Sequence, residues 1–278
     1  MLDDWLASGL PLIDCRPFAD YCRGHAAGAT SLPAGQLFER LHELPVPGQP
    51  LWLCGEASEL PSMADRLAAR RHEIAGILSW DAGLQQRLQR QCLLQQGSRS
   101  RRLWRPAPLL QRFVGQMPAW GIAPGRGLDL ACGAGRDLVF LAENGWQMTG
   151  VDYLPDALGR AARLAQDNRQ AVTLLHCDLE KDDRPFRHQR FDLVCVMRYL
   201  HRPLLPWIRQ LLNPGGVLVY QTFMQGCEKI SSPRNPNYLL ASGELADMFA
   251  DGEILLDERE LLADGRPLSA FIARFHPV

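Results

Sequence analysis

The sequence predicts an α/β protein of two units, the second a doubly wound sheet that closes on an antiparallel hairpin. Three observations carry that reading. Apolar strands alternate with amphipathic helical stretches along most of the chain. Residues 128–137, Leu-Asp-Leu-Ala-Cys-Gly-Ala-Gly-Arg-Asp, run from a strand through a glycine-rich turn into a helix. Near the end, residues 253–261 and 268–275 both read as strands, and Ala263-Asp-Gly-Arg266 between them is a hairpin turn signal.

Residues 1–90 form the first unit. A strand at 10–14 is followed by a turn-rich stretch, a strand at 51–54 and a helix near 62–71. Residues 91–106 are rich in arginine, glutamine and serine and read as a linker, and Leu109 to Val114 begin the helix leading into a second unit at 107–278. There the first strand covers 127–131 and its helix presents Leu138, Leu141 and Ala142 on one face. A second strand at 147–151 ends on Asp152. Pro155 opens a helix whose Ala157, Leu158, Ala161, Leu164 and Ala165 point inward. Strands at 172–177, 191–197 and 217–222 follow, with a helix over 204–212 stopped by Asn213-Pro-Gly-Gly216. Asp192 is read as structural, shaping the entry to the fourth strand.

Gly133 and Gly135 let backbone N–H groups approach a ligand in front of a helix N-terminus. Asp152, 23 residues after Asp129, stands where an acid grips ribose hydroxyls, and Asp178 beside Leu179 suits an adenine amino group and ring face. That pattern says adenosine cofactor. NAD fits less well, because Leu138 occupies the place of the third glycine of a dinucleotide-binding turn.

Together Leu128-Asp-Leu-Ala-Cys-Gly-Ala-Gly135, Val151-Asp152, Cys177-Asp178, Phe191-Asp192 and Leu212-Asn-Pro-Gly-Gly216 resemble the ordered motifs of class I S-adenosylmethionine-dependent methyltransferases. The resemblance implies a Rossmann-like seven-stranded sheet with the last strand antiparallel. It also implies that S-adenosylmethionine lies over Gly133 and Gly135, with Asp129 at its ammonium end, Asp152 on the ribose, and Asp178 with Leu179 on the adenine. Ala131 stands where many members have glycine. The first unit, through Asp14-Cys-Arg16, Gly24-His-Ala-Ala-Gly-Ala29, Leu32-Pro33 and a strand ending on Cys54, resembles a rhodanese domain. In active rhodaneses that cysteine carries a persulfide. Here Glu59 stands where the family has an arginine and Glu56 adds a second carboxylate, so the resemblance is to a degenerate, inactive member.

Acceptor candidates follow the fourth strand. Arg198 and Arg202 are expected to bind substrate, and Tyr199 or His201 is the candidate base. A proline-punctuated stretch after residue 222 adds Arg234 and Asn235 as candidates for an oxyanion. These segments resemble small-molecule methyltransferases of the tellurite-resistance and thiol-methylating kind, which implies a small acceptor, a thiol or another chalcogen. Met197-Arg-Tyr-Leu replaces the NPPY-like tetrapeptide of amide and base methylation, so nucleic acid is not the expected partner. A net charge of −1 agrees with that, giving no general attraction to nucleic acid or anionic lipid. No apolar run of membrane-spanning length occurs, and eight cysteines without a CxxC pair read as reduced thiols with no metal site, in a cytoplasmic protein. The alternatives are a sulfurtransferase working through Cys54 with a regulatory cofactor-binding domain, and a non-catalytic cofactor sensor.

Overall fold

The computed structural model describes residues 1–45, 48–181 and 188–276. They divide into two compact units, Met1–Trp104 and Arg105–Val278. In the first, the order is α1 (Leu2–Ser8), β1 (Leu12–Asp14), α2 (Phe18–Arg23), β2 (His25–Ala26), β3 (Thr30–Ser31), α3 (Ala34–Leu37), β4 (Leu51–Gly55), α4 (Leu60–Ala68), β5 (Ile74–Ser79), α5 (Ala82–Arg90) and β6 (Leu94–Gln95). Its main sheet is parallel in the order β3-β1-β4-β5. Strands buried on both faces explain the continuous apolar run Leu51-Trp-Leu-Cys54.

The expected linker at 91–106 is a correction. Strand β6 pairs antiparallel with β2. The carbonyls of Arg99 and Arg101 accept from the Tyr21 hydroxyl at 2.8 Å and Thr30 Oγ1 at 2.7 Å. Ser31 N–H donates to Ser100 Oγ at 2.9 Å. Residues 91–104 therefore belong to the first unit. Their exposed arginines read as a solvated run, whereas their backbone groups complete the hydrogen bonding of buried neighbours.

The second unit runs α6 (Pro108–Gln116), β7 (Arg126–Leu130), α7 (Arg136–Glu143), β8 (Gln147–Asp152), α8 (Pro155–Asp167), β9 (Thr173–His176), β10 (Phe191–Met197), α9 (Leu205–Leu211), β11 (Leu212–Phe223), α10 (Glu244–Met248), β12 (Glu253–Leu261) and β13 (Pro267–Phe275). Its seven-stranded sheet has the order β12-β13-β11-β10-β7-β8-β9, and only the pairings made by β13 are antiparallel. The apolar faces predicted from spacing are the buried ones: Ala157, Leu158, Ala161, Leu164 and Ala165 on α8, and Ile208 and Leu211 on α9. Asp192 accepts from Arg126 N–H at 2.8 Å and Asn213 Nδ2 at 2.7 Å, tying the start of β10 to both neighbouring strands. The order reverses at β7 and β10, so the carboxyl ends of these strands open a crevice where ligands of such sheets bind. Among the described residues no helix is long and apolar enough to cross a membrane.

Candidate functional site

Strand β7 delivers a turn in which three residues have left-handed backbones: Ala131 at φ 59°, Gly133 at φ 54° and Gly135 at φ 78°. For an alanine this conformation costs about 1–2 kcal/mol, which the turn tolerates at Ala131. The two glycines have different reasons for being glycine. A Cβ on Gly133 would meet nothing within 4 Å, so the backbone there leaves room for a ligand to approach closely. A Cβ on Gly135 would stand 2.7 Å from the Cβ of Ala161, so Gly135 lets α7 pack on α8.

Asp152 holds the turn in shape. One carboxylate oxygen accepts from Gly133 N–H at 2.8 Å and the other from Leu154 N–H at 2.9 Å. Each oxygen keeps a lone pair for a hydroxyl. Behind the turn, Asp129 is buried, the Cys195 thiol bonds to its carboxylate, and Oδ2 has no partner among the described residues. Burial, reinforced by Asp137, holds its carboxyl well above the usual carboxylate range. A buried, unpaired acceptor beneath an open glycine turn fits the cationic head of an amino-acid-like ligand. Asp129→Asn should therefore stabilise the ligand-free chain, by about 1–3 kcal/mol, and weaken cofactor binding; opposite shifts in thermal melting with and without cofactor check this.

Beyond β9, Asp178 is half-exposed, accepting from Lys181 Nζ at 2.7 Å and Glu180 N–H at 3.1 Å. The Lys181 bond holds its carboxyl below the ordinary value. Leu179 packs at the edge of the core beside it.

Past β10 the candidate acceptor residues separate into two cavities. The larger, about 370 Å³, is lined by Arg198, Tyr199, Leu200, Thr222, Phe223, Ser232, Pro233, Tyr238 and Arg266. The other, about 330 Å³, contains Glu180, His201 and Arg202 and shares Leu200 and Tyr238 with the first. Arg202 is a correction. Its guanidinium grips Glu244 through two bonds, 2.6 and 2.9 Å, and also donates to the carbonyls of Asn237 and Leu239. It clamps the polar loop to α10 and has little left for a substrate. Tyr199 lines the larger cavity, and burial pushes its hydroxyl above the ordinary tyrosine value, which disfavours the phenolate a base requires. Arg234 and Asn235 line neither cavity; Arg234 is exposed, and Asn235 Oδ1 accepts from Asn237 N–H at 3.0 Å. The sequence reading missed Arg266, Phe223 and Tyr238. Arg266 was taken only as part of the hairpin turn, and nothing local signals that the turn folds back beside Phe223, 5.0 Å from its ring centre.

Cys54 lies in the other unit, at the end of β4, and is buried. Burial, with Asp14 adding to it, pushes its thiol well above the ordinary cysteine range. The amides of Glu59 and Leu60 donate to the Glu56 carbonyl at 3.0 and 3.2 Å, so they are not free to cradle a sulfur.

Residues 128–216 match the methyltransferase-domain family. A protein of Schizosaccharomyces pombe is 24% identical over 314 aligned positions, covering 94% of this chain and 92% of its own length. A methyltransferase of Synechocystis is 36% identical over 104 residues, 34% of this chain and 46% of its own length. Among solved structures, the magnesium protoporphyrin IX methyltransferase of Synechocystis with bound S-adenosylhomocysteine superposes with a TM-score of 0.50 at 16% identity, covering 60% of this chain and 81% of that one. The family match falls on the glycine turn, Asp152 and the β10–β11 segment, where the site was built above, so residues 128–216 of this C-terminal unit carry a methyltransferase-domain match on an α/β methyltransferase fold.

Proposed function

We propose that the domain methylates a small molecule held in the 370 Å³ cavity, and that the nucleophile is a thiol or another chalcogen. The observation that carries this is the cavity's lining. It sits at the carboxyl ends of β10 and β11, and its lining among the described residues has no carboxylate and no histidine, while burial disfavours the phenolate of its Tyr199. Oxygen and nitrogen nucleophiles need a proton removed at this step, whereas a thiol ionises near neutral pH and attacks as a soft anion.

Bound S-adenosylmethionine supplies an electrophilic methyl on a sulfonium. The chain's part is alignment. Gly133, with no side chain and open space beside it, would let the methionine portion lie against the turn, and Asp129 Oδ2 would accept from its ammonium group. Asp152 holds the ribose hydroxyls, and Asp178 with Leu179 holds the adenine. Leu200 and Tyr238 wall the acceptor. His201, facing the neighbouring cavity, is not the base in this reading.

The test is release of S-adenosylhomocysteine with panels of small thiols, amines and alcohols. Turnover of thiols alone is the expected result; turnover of amines or alcohols without thiols overturns the assignment of the nucleophile.

For the first unit we propose a degenerate rhodanese-like module that does not carry sulfur, supported by the buried Cys54 and by the Glu59 and Leu60 amides, which are bonded to the Glu56 carbonyl. Eight free cysteines fit a reducing, cytoplasmic setting. Cys54→Ala is expected to leave methyl transfer unchanged, and the wild type to give no thiocyanate from thiosulfate and cyanide. Thiocyanate formation that the substitution removes would reverse this.

A further inference from the structure

We infer that the acceptor carries, besides its nucleophile, a carboxylate or similar oxyanion, and that Arg198 and Arg266 bind it side by side at the cavity wall. This rests on the methyl-transfer reading above and adds the charge of the substrate to it.

Three observations support the assignment. The guanidinium of Arg198 lies 5.2 Å from the ring centre of Phe223 and that of Arg266 lies 5.0 Å from the same ring. Two like charges are thus drawn to one aromatic side chain, and burial, with Arg266 adding to it, holds the Arg198 guanidinium below the ordinary arginine value. Among the described residues no acid lines the cavity to offset them.

Next, the nearby carboxylates are already engaged. Asp264 pairs with Arg266 at 2.8 Å from outside the cavity. Glu260 accepts from Arg112 at 2.9 Å and from Gln221 Nε2 at 2.7 Å, and Asp137 accepts from Ala107 N–H at 2.6 Å. Both act on Arg198 only through the field, and among the described residues Arg198 has no ion-pair partner. The guanidinium donors of Arg198 are therefore left unclaimed at the wall among the described residues, where an anion would find them.

Third, both guanidinia are positioned in advance. Arg266 donates to the Ser232 carbonyl at 2.5 Å as well as to Asp264, which fixes its fork against the loop. Arg198 adopts a left-handed backbone, φ 61°, with its N–H bonded to the Gln221 carbonyl at 2.7 Å. A non-glycine residue held in that region costs free energy that the surroundings must offset, and such outliers gather at ligand sites. Phe223, Tyr238, Leu200 and Pro233 complete an apolar and aromatic wall. The ligand class that matches is a compact, partly apolar thiol bearing one carboxylate, its carboxylate taking charge-assisted bonds from the arginines.

The experiment uses the full chain saturated with S-adenosylhomocysteine and two probes that differ only in the charge: 4-(mercaptomethyl)benzoate and benzyl mercaptan. Calorimetry is expected to show binding of the first and roughly tenfold or more weaker binding of the second. Arg198→Gln and Arg266→Gln should each weaken the carboxylate probe by a similar factor and leave benzyl mercaptan unmoved, while Arg266→Lys, which keeps the charge and a donor for Ser232, should recover much of the loss. Thermal melting of each variant separates lost binding from lost folding. Equal affinity for the two probes, binding of neither, or full affinity in both glutamine variants overturns the inference. Failure of S-adenosylhomocysteine itself to bind would instead remove the methyl-transfer reading, so the two failures are distinguishable.

Discussion

Gly135→Val is expected to destabilise the C-terminal unit by about 2–5 kcal/mol and to abolish cofactor binding. Two costs combine. A branched side chain is forced into a left-handed backbone at φ 78°, and its Cβ is driven to 2.7 Å from that of Ala161, which is wholly buried on α8. Helices α7 and α8 would have to separate, carrying the turn with them. Gly133→Ala is the informative contrast: the added methyl meets nothing within 4 Å, so stability should fall only by the roughly 1–2 kcal/mol that an alanine at φ 54° costs, while affinity for S-adenosylmethionine falls because the methyl occupies the space the ligand needs. Thermal melting and cofactor titration of the two variants check this. Equal losses of stability would show that both glycines serve packing alone.

In the first unit the largest effect is expected at Arg16. Its guanidinium is buried, donates to both oxygens of buried Asp14 at 2.9 and 2.6 Å and to the Gly24 carbonyl at 2.7 Å, and lies 3.6 Å from the ring centre of Trp80. Arg16→Met leaves the Asp14 carboxylate buried without its countercharge, a loss of about 3–5 kcal/mol. Replacing both partners, Asp14→Leu with Arg16→Met, removes the stranded charge and should restore a large part of that. Urea unfolding followed by tryptophan fluorescence reads both, since Trp80 packs against the guanidinium. A single variant as stable as wild type would show that the pair contributes specificity rather than stability.

Legibility in the sequence followed the length scale of the interaction. The second unit was readable because its information is local and periodic: the inward positions of α8 repeat at helical spacing, and Ala263-Asp-Gly-Arg266 announces the closing hairpin. The acids at 152 and 178 were readable because strand ends fix their distance from the turn. The distinct duties of Gly133 and Gly135 were not, because one depends on Ala161, 26 positions after Gly135. Arg202 stands in sequence among the candidate substrate ligands, but Glu244, 42 residues away, holds it. Arg266 reaches the site only because β13 folds back beside β11. In the first unit, β5 and α5 were not picked out, and the arginines of residues 91–104 drew attention to side chains while the backbone did the binding.

The central claim is that the glycine turn, Asp129 and Asp152 form a site for S-adenosylmethionine. Titration calorimetry of the full chain with S-adenosylmethionine, wild type beside Asp152→Ala, tests it most directly. The wild type is expected to show saturable one-site binding and the variant an affinity at least roughly tenfold lower, because it loses the bond shaping Gly133 and the acceptor for the ribose. Absence of binding at millimolar ligand, or equal affinity in both proteins, would contradict it.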